Sequence, residues 1–172
     1  MNVSTSDEKS SGGVDRSAAR LAAVQALYEM DMTGVDAGPV LQEFLKKRWM
    51  SGPEMLADGE EDLPDLAAPD GALLSELVRG VSSKRDDLDA MIGPALSEEW
   101  TVERLEVILR AILRAGAFEL ISMGDIPVKV VINEYVNVAK AFFDDNKPAL
   151  VNGVLDKLAR VLRTAEMEKS RE

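Results

Sequence analysis

The stretch Asp125–Arg163, DIPVKVVINEYVNVAKAFFDDNKPALVNGVLDKLARVLR, decides how the chain folds. Val128, Val131, Ile132, Tyr135, Val136, Ala139, Phe142 and Phe143 recur at steps of three and four. That spacing predicts one face of a helix, in spite of the β-branched residues. Pro127 suits the first turn, where its missing N–H would have had no partner. Val151, Val154, Leu155, Leu158, Val161 and Leu162 repeat the spacing in a second segment. Between the two lies DDNKP, in which Asp145 or Asn146 is placed to cap the second helix and Pro148 fits its first turn. A short loop between amphipathic helices predicts an antiparallel pair. Such a pair has to bury its stripes, and the preceding chain must provide the surface.

The segment just before it does so. A helix predicted over about Val102 to Met123 is apolar on nearly every side, through Leu105, Ile108, Leu109, Ile112, Leu113, Phe118, Leu120 and Ile121. This is the pattern of a central helix packed on several neighbours. Gly116, between Ala115 and Ala117, predicts close approach of another backbone. Upstream, a helix is expected from about Gly71 to Ile92, carrying Leu74, Leu77, Val78, Val81, Leu88, Met91 and Ile92 and stopped by Gly93-Pro94. Another is expected from about Asp15 to Met32, ending near Gly34, with Leu21, Val24, Leu27 and Tyr28 as its apolar stripe. Residues 39–50, PVLQEFLKKRWM, read as a short helix with Val40, Leu41, Phe44, Leu45 and Trp49 inward. Residues 1–13, rich in Ser, Gly and charge, read as a disordered tail, and 165–172 as a frayed one. The stretch 51–71 is broken by Gly, Pro and acids, and reads as a mobile acidic loop. No segment alternates with period two, so the fold is expected to be all-α, with about seven helices. Residues 14–93 are expected to form an N-terminal helical subdomain and 94–164 a C-terminal one.

The composition excludes whole classes of chemistry. The 172 residues include no Cys and no His, which removes thiol nucleophiles, imidazole bases and the usual ligands of structural zinc. No run approaches the roughly 20 apolar residues of a membrane span. The first residues, MNVSTSDEKSSGGVD, lack the basic and apolar regions of a signal peptide, so a cytoplasmic protein is expected. The net charge is −11: residues 1–100 hold 20 acidic and 9 basic side chains, whereas 101–172 hold 11 of each. Lys and Arg neutralise phosphate and drive non-specific nucleic-acid binding, so an RNA role here needs a local basic patch and a helping partner.

Few side-chain constellations invite a function. Glu134 and Asp156 fall on the paired helices, but solvated faces account for both, and a bundled metal pair would need histidines. Gly12-Gly13 has neither phosphate-loop nor dinucleotide spacing. Lys46-Lys47-Arg48 beside Trp49 reads as the solvated side of a short helix, since Trp49 lies on the apolar stripe. Arg110 and Arg114, four apart on an apolar helix, must each reach solvent, an acid or a partner. Arg16 and Arg20, also four apart, share a face at the exposed N-terminal end of the first helix. The Asn152-Gly153 step lies inside a helical stripe, where Gly costs about 1 kcal/mol, and marks close packing or a contact surface. No catalytic residue, cofactor or metal is expected.

Four blocks resemble the NusB family of bacterial antitermination and ribosomal-RNA transcription factors. They are RSAARLAAVQALYEMD at 16–31, RAILRAGAFEL at 110–120, IPVKVVINEYVNVAK at 126–140 and VNGVLDKLA at 151–159. They run in family order, and AVQALY, INE and VNGVLDK together are far more specific than any one short motif. The resemblance implies two helical subdomains, each built on a three-helix bundle. It also implies a non-catalytic factor that binds the boxA element of nascent RNA as a heterodimer with NusE, a small-subunit ribosomal protein. The heterodimer would help load an antitermination complex onto RNA polymerase. A basic ribosomal protein would supply the cations this acidic chain lacks.

Carried over by position, the family's arginine-rich stretch falls on Arg16 and Arg20, with Ser17, Ala18 and Ala19 between them. An aromatic that stacks on RNA in some members is Leu150 here, beside Asn146, Lys147 and Asn152 as further RNA contacts. The family's partner surface implies Tyr28 on the first helix and Leu109, Arg110 and Leu113 on the central one. Some members form homodimers, so a second copy of the chain stands among the expected partners. Two other readings compete. One is a protein–protein adaptor with little RNA contact, in line with the thinned arginine cluster and Leu150. The other is the NusB-like domain of ribosomal-RNA cytosine methyltransferases, against which stand the missing Gly-rich cofactor loop and the missing Cys.

Overall fold

Seven α-helices and one 3-10 turn account for the regular structure of the described residues, which in this computed structural model are 5–49, 70–97 and 99–169. The helices are α1 (Thr5–Thr33), α2 (Ala37–Trp49), α3 (Gly71–Ala95), α4 (Val107–Ser122), α5 (Val128–Phe142), α6 (Lys147–Leu162) and α7 (Thr164–Lys169), with the 3-10 turn at Val102–Arg104. The all-α fold expected from the sequence is the one observed. Helices α1, α2 and α3 pack on one another, as do α4, α5 and α6. α4 also lies against α1 and α3, so one continuous core runs through both groups.

α4 is the hub because it offers apolar surface all round: every residue from Ala111 to Leu120 is buried, two of them charged. Small residues set its spacing. A Cβ on Gly116 would stand 2.9 Å from both Leu155 methyl groups and 3.3 Å from the Tyr135 ring. The neighbour admitted there is therefore a leucine side chain of α6, rather than the backbone the sequence suggests. On α3, Gly80 seats the Phe118 ring, whose Cζ lies 2.1 Å from where a Cβ would be.

The boundaries follow local chemistry. Gly34, at φ 75°, closes α1 and donates its N–H to the Met30 carbonyl at 2.8 Å, a left-handed helix cap. Asp70 caps α3 by accepting the Leu73 N–H at 3.1 Å. Asn146 occupies the cap position of α6, but the side chain that bonds there is Asp145, accepting the Lys147 N–H at 3.0 Å.

Several expectations need correction. α1 begins at Thr5, not near Asp15, so residues 5–13 continue the helix rather than forming a tail. No apolar stripe announces that extension. The predicted helix from Val102 divides into the 3-10 turn and α4, and α3 runs on through Pro94 to Ala95. Residues 164–169 are not frayed but form α7, where the Glu166 carboxylate accepts the Val128 N–H at 2.8 Å and Met167 packs on the core. The expected acidic loop lies, apart from Asp70 and Gly71, outside the described residues, as do residues 1–4 and 170–172.

Candidate nucleic-acid interface

The two arginines expected to share an exposed face part company. Arg20 is 2% exposed and pairs with Glu119 of α4, itself 0% exposed. Its Nε donates to both carboxylate oxygens, at 3.0 and 3.1 Å, and its Nη2 to Oε1 at 2.5 Å. The Tyr135 hydroxyl donates to the same carboxylate at 2.6 Å, and Glu134 lies 3.7 Å from the Arg20 guanidinium. Burial by itself would lower the Arg20 pKa, but the Glu119 carboxylate outweighs it and the net shift is upward. Burial, reinforced by Glu119, raises the Tyr135 hydroxyl well above its ordinary 10.0. Arg20 is thus a positive charge held in the core, not a free phosphate contact. Its position on the stripe of Val24 and Leu27 put it there, and Arg16, one turn earlier, is exposed. Ser17 fixes the exposed end of the stripe by donating to both Glu134 oxygens, at 2.8 and 2.9 Å.

The hinge between α5 and α6 keeps more of its expected surface. Asn146 and Asn152 are exposed, while Lys147 and Leu150 are half-buried. Lys147 is engaged: its Nζ lies 2.6 Å from Asp145 and 3.4 Å from Glu106, and 5.0 Å from the centre of the Phe143 ring. The hydrogen bond to Asp145 raises the lysine above its ordinary 10.5 and holds the Asp145 carboxyl below its usual 3.8. A Cβ on Gly153 would meet nothing within 4 Å, so close packing does not explain that glycine and a contact surface remains.

The two parts of the expected RNA surface are separate. Arg20 is anchored at Glu119 and Lys147 at Glu106, toward opposite ends of α4. At 1.5 Å per residue those anchors are roughly 20 Å apart.

On the partner side, Tyr28 is 40% exposed and Arg110 is half-buried, with its Nε enclosed and unpaired among the described residues. Leu109 and Leu113 are core residues and cannot line a surface, because α4 is covered on those sides. Arg114 takes an internal solution: it donates to both oxygens of Asp89, at 2.7 and 2.8 Å, and to Asp31 at 3.1 Å. Burial would lower the Arg114 pKa, but Asp89 and then Asp31 carry it upward. This junction lies within one turn of Tyr28 on α1 and one turn of Arg110 on α4. Met32 and Val35 are exposed beside it. The sequence carried a signal for them in the spacing 28, 32, 35, which runs off the buried stripe, but the apolar face drew the reading inward.

Of the remaining constellations, Glu134 is engaged by Ser17 and Arg20, and Asp156 by Arg160 at 3.0 Å. The side chains of Lys46, Lys47, Arg48 and Trp49 lie outside the described residues. Among the described residues no cluster of acids is arranged to hold a metal ion, and no helix is long and apolar enough to cross a membrane.

A sequence profile described as the NusB family matches residues 17–160. The chain belongs to the NusB family. It is 44% identical over 163 residues to the transcription antitermination protein NusB of Sinorhizobium fredii (strain NBRC 101917 / NGR234), covering 95% of this chain and 97% of that protein. It is also 44% identical over 148 residues to the transcription antitermination protein NusB of Caulobacter vibrioides (strain ATCC 19089 / CIP 103742 / CB 15), covering 86% and 94%. Among solved structures, T. maritima NusB superposes with a TM-score of 0.66 at 29% identity, over 84% of this chain and 90% of that one. The structure of antitermination factors NusB and NusE in complex with dsRNA gives 0.66 at 23% identity, over 86% and 97%, a likeness of fold. The buried Arg20–Glu119–Tyr135 set lies within the stretch that matches the NusB family, and Arg16 lies just ahead of it.

Proposed function

We propose that this chain is a non-catalytic transcription antitermination factor. It binds boxA-type RNA as a heterodimer with ribosomal protein NusE and joins the antitermination complex on RNA polymerase, promoting processive transcription of ribosomal RNA. The observation that carries this reading is end-to-end likeness to proteins named for antitermination, at 44% identity over 97% of one such protein. The charge distribution supports the need for NusE. With Arg20 buried and Lys147 paired, Arg16 is the one freely exposed cation of the expected RNA contacts, too little for binding by charge alone. The exposed Tyr28, Met32 and Val35, with Arg110 nearby, form the face assigned to NusE. A protein of this role works beside RNA polymerase in the cytoplasm.

The adaptor reading draws support from the same engaged cations and from Leu150 where an aromatic would stack. The two are separated by transcription in vitro through a terminator on a template carrying boxA. The antitermination reading predicts that read-through rises when the chain and NusE are both added and not on a template with a scrambled boxA. Equal read-through on the two templates would favour the adaptor.

A further inference from the structure

The end of α3 and the turn after it hold an exposed aromatic in acidic surroundings. Residues 86–106 contain seven acidic side chains and one basic one, Arg104. Among them Trp100 is 42% exposed, although a side chain of its size gains most by burial. It lines a cleft together with Asp89, Gly93, Pro94 and Glu103. At about 440 Å³ the cleft is many times the roughly 30 Å³ that one water occupies, so it has room for a side chain. The backbone here is fixed, since the Trp100 N–H donates to the Ser97 carbonyl at 2.9 Å and the Arg104 N–H to the Thr101 carbonyl at 3.0 Å. Aromatic and acid are thus presented ready-formed. Asp89 is committed to Arg114, whereas Glu103 is exposed and has no ion-pair or hydrogen-bond partner among the described residues. The cleft is also continuous with the face assigned to NusE. Arg114 donates to Asp89 on one side and to Asp31, within one turn of Tyr28, on the other. Asp31 and Arg114 in turn line a hollow with Leu27, Met30 and Val35.

We infer that the Trp100 cleft receives a lysine or arginine side chain of NusE, so that the partner's footprint runs from Tyr28 across the Arg114 junction to Trp100. A cation over the indole face is attracted by the ring quadrupole, and the Glu103 carboxylate accepts a charge-assisted hydrogen bond from the same group. RNA is a poor occupant, because the surrounding acids repel phosphate. A second copy of this chain would bring a further excess of acid to the contact. A basic ribosomal protein brings the complementary charge. This inference rests on the NusE-binding reading above and adds a contact beyond the Arg114 junction, together with the chemistry that recognises it.

The test is isothermal titration calorimetry of the full chain with NusE, in the absence of RNA, at low and high salt, with the thermal midpoint of each variant recorded alongside. Trp100→Ala should weaken binding roughly five- to thirtyfold, the range of a cation–π contact that is shielded from water. Trp100→Phe should keep part of that affinity, since a smaller ring retains the quadrupole. Glu103→Gln, a change on an exposed side chain that leaves the fold intact, should weaken binding roughly three- to fivefold at low salt and less at high salt. Asp125→Asn makes the same change of net charge at an exposed position after α4 and should leave the affinity as it was. If the unaltered chain binds NusE while neither Trp100→Ala nor Glu103→Gln moves the affinity, the cleft is not a contact and the NusE reading survives. An effect of Trp100→Ala without one of Glu103→Gln marks a purely apolar contact and overturns the cationic occupant. If the unaltered chain binds no NusE, both readings fall.

Discussion

Replacing Glu119 with alanine is expected to destabilise the fold by about 3–5 kcal/mol, the cost of removing one partner from a buried ion pair. Arg20 would keep its charge in the core with only Glu134, 3.7 Å away and partly solvated, to answer it. The Tyr135 hydroxyl would lose its acceptor as well. For a chain of this length a loss of that size lowers Tm by roughly 6–20 °C. Thermal unfolding followed by circular dichroism measures it. A double substitution, Glu119→Leu with Arg20→Met, should recover much of the loss, since replacing a whole buried ion pair by apolar groups is often neutral or better. A Glu119→Ala protein as stable as the original would show that Arg20 is not held as described, and would return it to the pool of available RNA contacts.

Replacing Arg163 with alanine is the second large effect expected, about 2–4 kcal/mol. The guanidinium gathers the carbonyls that end α4 and the loop after it: Leu120 at 2.9 Å, Met123 at 2.8 Å, Glu119 at 3.3 Å and Ile126. It also holds Glu166 at 3.2 Å, so one side chain ties the end of α6 to the α4–α5 connection. Each charged hydrogen bond adds about 1.5–3 kcal/mol, and the total is discounted because the freed carbonyls at the margin regain water. Arg160→Ala is the control. Its pair with Asp156 is solvent-exposed, and the loss should stay within about 0.5 kcal/mol.

The same corner gives a pH signature. Acceptance of the Val128 N–H, and then the Arg163 interaction, hold the Glu166 carboxyl below its ordinary 4.5. A depressed folded-state pKa means the contribution is full above that ordinary value and is lost as pH falls through the folded one. Arg163→Ala should therefore also shift the onset of acid unfolding to higher pH, as read by circular dichroism across an acid titration.

The α5–α6 pair was legible because its apolar steps, Pro127 and the DDNKP hinge all point the same way, and local signals of that kind need no knowledge of the rest of the fold. The central position of α4 was legible for a similar reason, as its apolar residues leave no solvated face. The fate of Arg20 was not. Its spacing with Val24 and Leu27 marks the buried stripe, but burial of an arginine depends on an acid, and that acid lies on another helix 99 residues away. Leu109 and Leu113 were misplaced because an all-round apolar helix does not say which sides its neighbours cover. Phe142 fits the apolar spacing of α5 yet is 38% exposed as the last residue of the helix, which spacing does not record.

The central claim, that this chain binds boxA RNA as one half of a pair with NusE, is tested most directly by titrating that RNA with the chain, with NusE and with both, while recording mass in solution. Weak binding is expected of each protein alone, with a sharp rise in affinity for the two together and a particle holding one of each with RNA. A mixture that binds RNA no better than NusE alone would contradict it.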